Sequence, residues 1–414
     1  MALTVTLSGC SSWSPKTQGV PDVALPAAWS TDASATSATT PPLATSSLAQ
    51  WWQRFNDPLL STLVAQALQA NTSIRSAQAA LQQSRALRDV KAAGMLPGVS
   101  ASGSAQRSQS GDNDPSNSFK VGLDASWEPD VFGGKRSTLN ATEADAQAAE
   151  ATLADVQVSM AAEVALAYIQ LRGQQAQLMI ARNNLESQKE TLQITDWRAQ
   201  AGLITSLEVE QARTASEQTG AQLPTLEANI AKTRHALAVL TGRPPAALDM
   251  LLAASRPVPQ AAENLALSIP AQTLRQRPDV RAAEHRISAA LARVSAADAA
   301  RYPSFSISGS LGLSALTLGA LSNGATVVNA LLGSVSVPLF DGGAATAQVL
   351  AQEAALEQAR VSYQSVVLTA LKDVEDALVA LAGDRARLTH LQGAATAADN
   401  AALLAQNRYS SGLI

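Results

Sequence analysis

The stretch Pro303-Ser304-Phe305-Ser306-Ile307-Ser308-Gly309-Ser310-Leu311-Gly312-Leu313 decides the architecture of this chain. Phe305, Ile307, Gly309, Leu311 and Leu313 alternate with Ser306, Ser308, Ser310 and Gly312. A period of two gives a strand one apolar and one polar face. Three more segments read the same way. Val99, Ala101, Gly103 and Ala105 alternate with Ser100, Ser102, Ser104 and Gln106. Phe119, Val121, Leu123, Ala125 and Trp127 alternate with Lys120, Gly122, Asp124, Ser126 and Glu128. Leu331, Gly333, Val335, Val337 and Leu339 alternate with Leu332, Ser334, Ser336 and Pro338. Each runs about nine to eleven residues, the length at which a tilted strand crosses a bilayer. The polar face then lines a lumen, whose charge is set by Lys120, Asp124 and Glu128. The rival reading is a soluble sandwich with the apolar face turned inward.

Four strands cannot close around a lumen. An open sheet would leave unpaired backbone groups in lipid, at high cost. Several chains must therefore pool their strands, and three would give an even-numbered barrel of about twelve.

The stretch also has an earlier copy. At a shift of 206 positions, Arg75, Ala77, Ala86, Ala93, Pro97, Ser100, Ser102, Gly103 and Ser104 fall on Arg281, Ala283, Ala292, Ala299, Pro303, Ser306, Ser308, Gly309 and Ser310. At a shift of 210, Val164, Leu171, Gly173, Leu178, Arg198, Gly202, Leu203 and Ile204 fall on Val374, Leu381, Gly383, Leu388, Arg408, Gly412, Leu413 and Ile414. The fold class is thus mainly α with a small β part, built as an internal two-fold repeat of a helix–strand–strand–helix unit. No proline interrupts Lys135 to Gln200 or Ala344 to Ser411, which predicts helices on the order of 100 Å long. Leu171, Leu178, Leu185 and Leu192 recur at a coiled-coil spacing. A further helix spans Ser206 to Leu240 with a kink at Pro224, after a turn at Gly202. The helix from Pro58 to Ala93, N-capped by Asp57, breaks near Asn71. The expected divisions are 1–9, a signal-peptide remnant; 10–49, a Ser/Thr/Pro/Ala-rich tether; 50–242, the first repeat; 243–277, a proline-containing linker; and 278–414, the second repeat. The second copy is expected to be cut short, because Gly412 is not followed by the returning helix that follows Gly202.

Composition narrows the function. Net charge is −4 and aromatics are 4% of the chain, so nothing points to nucleic acid. No run of 18 apolar residues suggests a transmembrane helix, which leaves a β-barrel open. His235, His285 and His390 are scattered without ligand spacing, so no metal is expected. Five scattered methionines offer no soft-metal relay. Gly133-Gly134 and Gly342-Gly343 read as strand-to-helix bends, not phosphate loops. No Ser-His-Asp arrangement suggests itself, so the expected chain is not an enzyme and takes no cofactor. The single cysteine, in Leu7-Ser8-Gly9-Cys10, resembles a bacterial lipobox, with Cys10 taking a covalent lipid and Ser11 permitting transport to the outer membrane. Nine residues without Lys or Arg precede it, so the true start is expected upstream.

Together, Cys10, Trp51-Trp52 through Asp57-Pro58-Leu59, Asp130-Val131-Phe132-Gly133, Ala201-Gly202-Leu203-Ile204, Arg277-Pro278-Asp279-Val280-Arg281, Pro338-Leu339-Phe340-Asp341-Gly342-Gly343 and Tyr409-Ser410-Ser411-Gly412-Leu413 resemble the TolC-type outer-membrane efflux proteins, in the lipoprotein branch that serves resistance–nodulation–division pumps. The resemblance implies a homotrimer with a shared twelve-stranded outer-membrane barrel and a long α-helical barrel as periplasmic tunnel. Its partners would be a periplasmic adaptor and an inner-membrane pump. The helix tips would close like an iris, with Tyr409 and Glu208 at the positions that hold it shut and Arg198 and Arg408 as weaker tip candidates. Ile414 stands where some members have an arginine. The rival functions are a duct for type I protein secretion and a pore-less coiled-coil lipoprotein.

Overall fold

The structure, a computed structural model, describes residues 21, 50–112, 114–260 and 271–411. Cys10 and the tether after it lie outside the described residues. After a 3-10 turn at Trp51–Phe55 come α1 (Pro58–Ala70), α2 (Thr72–Ala93), β1 (Gly98–Ser108), β2 (Ser116–Trp127), α3 (Gly134–Gln200), α4 (Ser206–Leu240) and the short α5 (Asp249–Leu252). Then follow α6 (Pro278–Ala299), β3 (Ser304–Ala315), β4 (Thr326–Ser336) and α7 (Ala344–Ser410). α3 and α7 are each 67 residues long, about 100 Å at the α-helical rise. α4 runs through Pro224 as one helix, and Asn71 separates α1 from α2.

The chain forms two compact units. Among the described residues, one takes 84–112, 114–148 and 271–411. It holds a single antiparallel sheet in the order β1-β2-β3-β4. The register preserves parity throughout. Leu123 lies opposite Ala101 and Leu311, while Lys120 lies opposite Ser104 and Ser314. Odd-numbered residues therefore make one continuous apolar face, and even-numbered residues the other. That apolar face is uncovered: Leu123 is 53% exposed, Leu311 57% and Leu331 83%. A sandwich would have buried it, so the structure sets that rival aside.

The fourth strand corrects the sequence reading. It spans Thr326–Ser336, not residues 331–339. The doublets Val327-Val328 and Leu331-Leu332 hide its alternation, and Pro338 cannot donate to a ladder.

In this unit, Val280, Ala283, Ile287 and Ala290 make a three/four-spaced stripe on α6 that packs on Leu356, Tyr363, Val367 and Ala370 of α7. Arg277 ties the start of α6 down. Its Nη2 lies 2.8 Å from Asp279 and 3.5 Å from Asp373. Two aspartates start the long helices where the strands end. Asp130 accepts from the amides of Lys135 at 3.0 Å and Arg136 at 2.7 Å. Asp341 accepts from Gly343 and Ala345, both at 2.8 Å. These amide hydrogen bonds hold the Asp341 carboxyl below its usual range.

Among the described residues, the other unit takes 50–83 and 149–260. Leu60, Leu63, Val64 and Ala67 of α1 share a core with Ala161, Val164, Ala165, Tyr168 and Leu171 of α3, and with Ile230, Leu237 and Ala238 of α4. Leu248 and Leu252, from the segment read as a linker, are fully buried in the same core. One 18-residue window of α3 is apolar enough to cross a membrane on composition alone, which amends the expectation that no such helix exists. α3 gives Ala161, Val164, Ala165, Tyr168 and Leu171 to this core, while Val158, Leu166, Met179 and Ile180 stay exposed.

Gly242 ends α4 in a Schellman turn, with φ 71° and the Arg243 amide donating to the Ala238 carbonyl at 2.8 Å. A Cβ there would sit 2.4 Å from the Ala70 carbonyl oxygen. Gly242→Ala is expected to cost at least about 2 kcal/mol from left-handed strain plus overlap. The check is loss of helical circular dichroism on heating, which should come at a lower temperature than in the wild type.

Candidate functional site

Two regions carry the residues singled out in the sequence. The first is the even-numbered face of the sheet. Lys120 and Asp124 stand on it, four residues apart and exposed. Asp124 Oδ2 accepts from Ser102 Oγ at 2.6 Å, and Ser306 and Ser334 share a hydrogen bond of 2.6 Å. The face is thus a wall of hydroxyls with one cation and one anion. Glu128 is not part of it. β2 ends at Trp127, and Glu128 turns to Lys135 at 2.9 Å, beside the start of α3. The alternation reaches Glu128 on paper, but the ladder stops before Pro129. On β4 the same face presents Val328, Ala330 and Leu332, so the polar wall fades at that edge.

The second region is the α3–α4 tip. Gly202, at φ 72°, closes α3, with the Leu203 amide donating to the Arg198 carbonyl at 2.9 Å. Thr205 then N-caps α4 in a capping box. Its hydroxyl accepts from the Leu207 amide at 3.3 Å, and Glu208 Oε2 accepts from the Thr205 amide at 3.2 Å and from the Thr205 hydroxyl. The hydrogen bond from the Thr205 side chain holds the Glu208 carboxyl below its usual range. Glu208 is therefore already engaged in starting its own helix. The Tyr409 side chain lies outside the described residues, so the pairing of Tyr409 with Glu208 is not on view. Arg198 and Arg408 are exposed in the last turns of α3 and α7, where a cation meets the negative end of the helix dipole.

A buried network escaped the sequence reading. Asp57 N-caps α1 as expected, its Oδ1 accepting from Leu59 at 2.8 Å and Leu60 at 3.0 Å. Its Oδ2 accepts from the Tyr168 hydroxyl at 2.7 Å. The guanidinium of Arg172, fully buried, lies 4.8 Å from the centre of the Tyr168 ring and donates to Gln175 at 2.7 Å and to the Ala254 carbonyl at 2.8 Å. Burial opposes ionisation of Asp57, but the bond from Tyr168 and the two amides outweigh it and hold its carboxyl below the usual range. Burial, then the Asp57 carboxylate, pushes the Tyr168 phenol up. Arg172 one turn after Tyr168, inside an otherwise apolar stripe, was the readable hint. Among the described residues, no cluster of His, Cys, Asp and Glu has the makings of a metal site.

A sequence profile described as "Outer membrane efflux protein" matches residues 63–243 and again 269–414. The outer membrane protein OprJ of Pseudomonas aeruginosa is 30% identical over 374 residues, which is 87% of this chain and 77% of OprJ. The toluene efflux pump outer membrane protein TtgF of Pseudomonas putida is 30% identical over 397 residues, covering 92% of this chain and 80% of TtgF. Among solved structures, the outer-membrane channel OprN superposes with a TM-score of 0.86 at 36% identity, over 96% of this chain and 90% of OprN.

Proposed function

The chain belongs to the outer membrane efflux protein family, and from that premise we propose that it is the outer-membrane exit duct of a tripartite efflux pump. Three copies pool twelve strands into one barrel, and α3, α4 and α7 build the periplasmic tunnel below it. A periplasmic adaptor joins the duct to an inner-membrane pump, which supplies both energy and selection. The duct itself makes and breaks no bonds. Cys10 carries a lipid that adds a second hold on the outer membrane.

The observation that carries this reading is the sheet. It exposes an apolar face across all four strands and leaves β1 and β4 as unpaired edges. The strands are 11 or 12 residues long. At about 3.3 Å per residue and a tilt near 40°, each spans roughly 25–30 Å, the height of an outer-membrane apolar band. Purified protein in planar bilayers should conduct ions, and silence even with altered tips would end the duct reading.

The gate is assigned to the helix tips, with Tyr409 donating to Glu208 across the closed iris and Arg198 and Arg408 adding charge at the helix ends. Tyr409→Phe combined with Glu208→Gln should raise resting conductance. Glutamine keeps a capping box intact, so α4 still starts correctly and the leak reports on the gate alone. Unchanged conductance in the double variant would remove the assignment.

A further inference from the structure

At the lower end of the sheet, a hollow of about 720 Å³ opens where β2 and β3 meet the helix ends, lined by Lys91, Glu128, Phe132, Lys135, Tyr302 and Phe305 among others. Its aromatic side is a ladder. Phe132 stacks on Tyr302 with ring centres 5.0 Å apart and planes 19° from parallel, and on Phe305 at 6.4 Å and 26°. Phe305 belongs to the odd-numbered apolar face of β3, so the hollow continues the surface read as lipid-facing. Trp127, on the same face of β2, is partly exposed and donates its indole N–H to the Met95 carbonyl at 3.0 Å. Amphipathic aromatics at the end of an apolar band mark the depth of lipid headgroups.

The charges in the hollow are divided. Lys135 is committed to Glu128 at 2.9 Å and to the Gly94 carbonyl at 3.4 Å. Both oxygens of Asp130 are taken by amides of α3. Glu128 uses Oε2 for Lys135, which leaves the lone pairs of Oε1 to accept from a further donor. Lys91 is exposed in the last turn of α2 and has no ion-pair partner among the described residues. One unpaired ammonium and one half-used carboxylate beside stacked rings complement a group that carries both charges. A purely anionic headgroup would meet Glu128 unfavourably.

We propose that this hollow binds a glycerophospholipid with a primary-amine headgroup, its phosphate on Lys91 and its ammonium on Glu128 beside the aromatic ladder, with the acyl chains laid on the apolar strand face. The site rests on the sheet being lipid-facing. It would fix the depth of the barrel at the inner leaflet through a specific contact as well as a general one.

The test is native mass spectrometry of the detergent-solubilised protein offered equimolar phosphatidylethanolamine, phosphatidylcholine and phosphatidylglycerol with identical acyl chains. The wild type should retain the ethanolamine lipid about fivefold over the other two. The choline lipid has no N–H to donate, and the glycerol lipid no cation, each worth on the order of one charge-assisted hydrogen bond. Lys91→Gln should lower retention of all three by about fivefold, through loss of the phosphate contact. Glu128→Gln should erase only the preference for the ethanolamine lipid. Equal retention of the three lipids by the wild type, or no change in Lys91→Gln, overturns the proposal. The Lys91 arm decides alone if the Glu128 variant does not assemble. Planar-bilayer conductance of the same preparations separates the two readings, since a conducting protein without lipid preference loses this site and keeps the duct.

Discussion

Arginine at Leu123 and Leu311 together should abolish assembly into the outer membrane, whereas arginine at Ser126 and Ser310 should leave it intact. Leu123 and Leu311 are direct cross-strand partners on β2 and β3, both more than half exposed on the odd-numbered face. Ser126 and Ser310 lie on the same two strands with opposite parity, and Ser310 is partnered with Asp124. The leucine pair places its charge on the odd-numbered side of the sheet and the serine pair on the even-numbered side. On a lipid-facing side, each arginine near the bilayer midplane costs about 2–4 kcal/mol, so the pair costs roughly 4–8 kcal/mol. That rivals the whole stability of an ordinary folded protein, about 5–15 kcal/mol. On a water-filled side, the guanidinium stays hydrated, and at Ser310 it gains a carboxylate neighbour. Membrane fractionation and the heat-modifiable migration of the oligomer would read the difference. The reverse outcome, with the leucine pair assembling and the serine pair failing, would mean that the apolar side closes on a dry interior, and the duct reading would go with it.

Parity along a strand can be read from sequence because side-chain direction alternates strictly, and that rule gave β1, β2 and β3 their faces. It failed where the chemistry stops alternating. The doublets of β4 are apolar on both faces, so the reading started late and ran on past Pro338. It failed again at Glu128, because parity carries no information about where the hydrogen-bonded ladder ends. Long helices were legible for a related reason. The absence of proline over some 65 residues is a local property that leaves a long helix uninterrupted. The capping box at the tip was also local. Thr205-Ser206-Leu207-Glu208 is its signature. The network around Arg172 was a different matter. The cap at Asp57 could be seen in four consecutive residues, but its phenol partner is 111 positions away, and nothing in a single chain pairs the two. The repeat does not help, since the positions that match Tyr168 and Arg172 at the 210 shift are Leu378 and Ala382. The cluster therefore serves something particular to the first copy, and the structure shows that it clamps the segment after α5.

That clamp yields the last prediction. Arg172→Ala should destabilise the unit built on α1, α3 and α4 by about 3 kcal/mol, whereas Arg172→Met should stay within about 1 kcal/mol of the wild type. Arg172 is fully buried, and its Nη1 satisfies two acceptors, Gln175 Oε1 and the Ala254 carbonyl. Its Nε and Nη2 have no hydrogen-bond partner among the described residues. Alanine leaves a cavity beside the Tyr168 ring, strands the buried Gln175 acceptor and frees the Ala254 carbonyl, and each loss counts separately. Methionine fills most of the volume and removes a buried cation with two unsatisfied donors, a gain that offsets the acceptors left behind. The balance depends on whether the charge is felt favourably by Asp57, whose carboxylate is held ionised partly by the nearby guanidinium. If it is, the methionine variant should lose stability mainly above the Asp57 pKa, where the carboxylate is charged. Below that pKa, the cap is protonated in either protein and its contribution is gone from both. Unfolding followed at neutral pH and again at a pH low enough to protonate the lowered Asp57 carboxyl separates the two terms. A methionine variant as unstable as alanine at both pH values would show that the hydrogen bonds to Ala254 and Gln175, and not packing or charge, hold the segment after α5 in place.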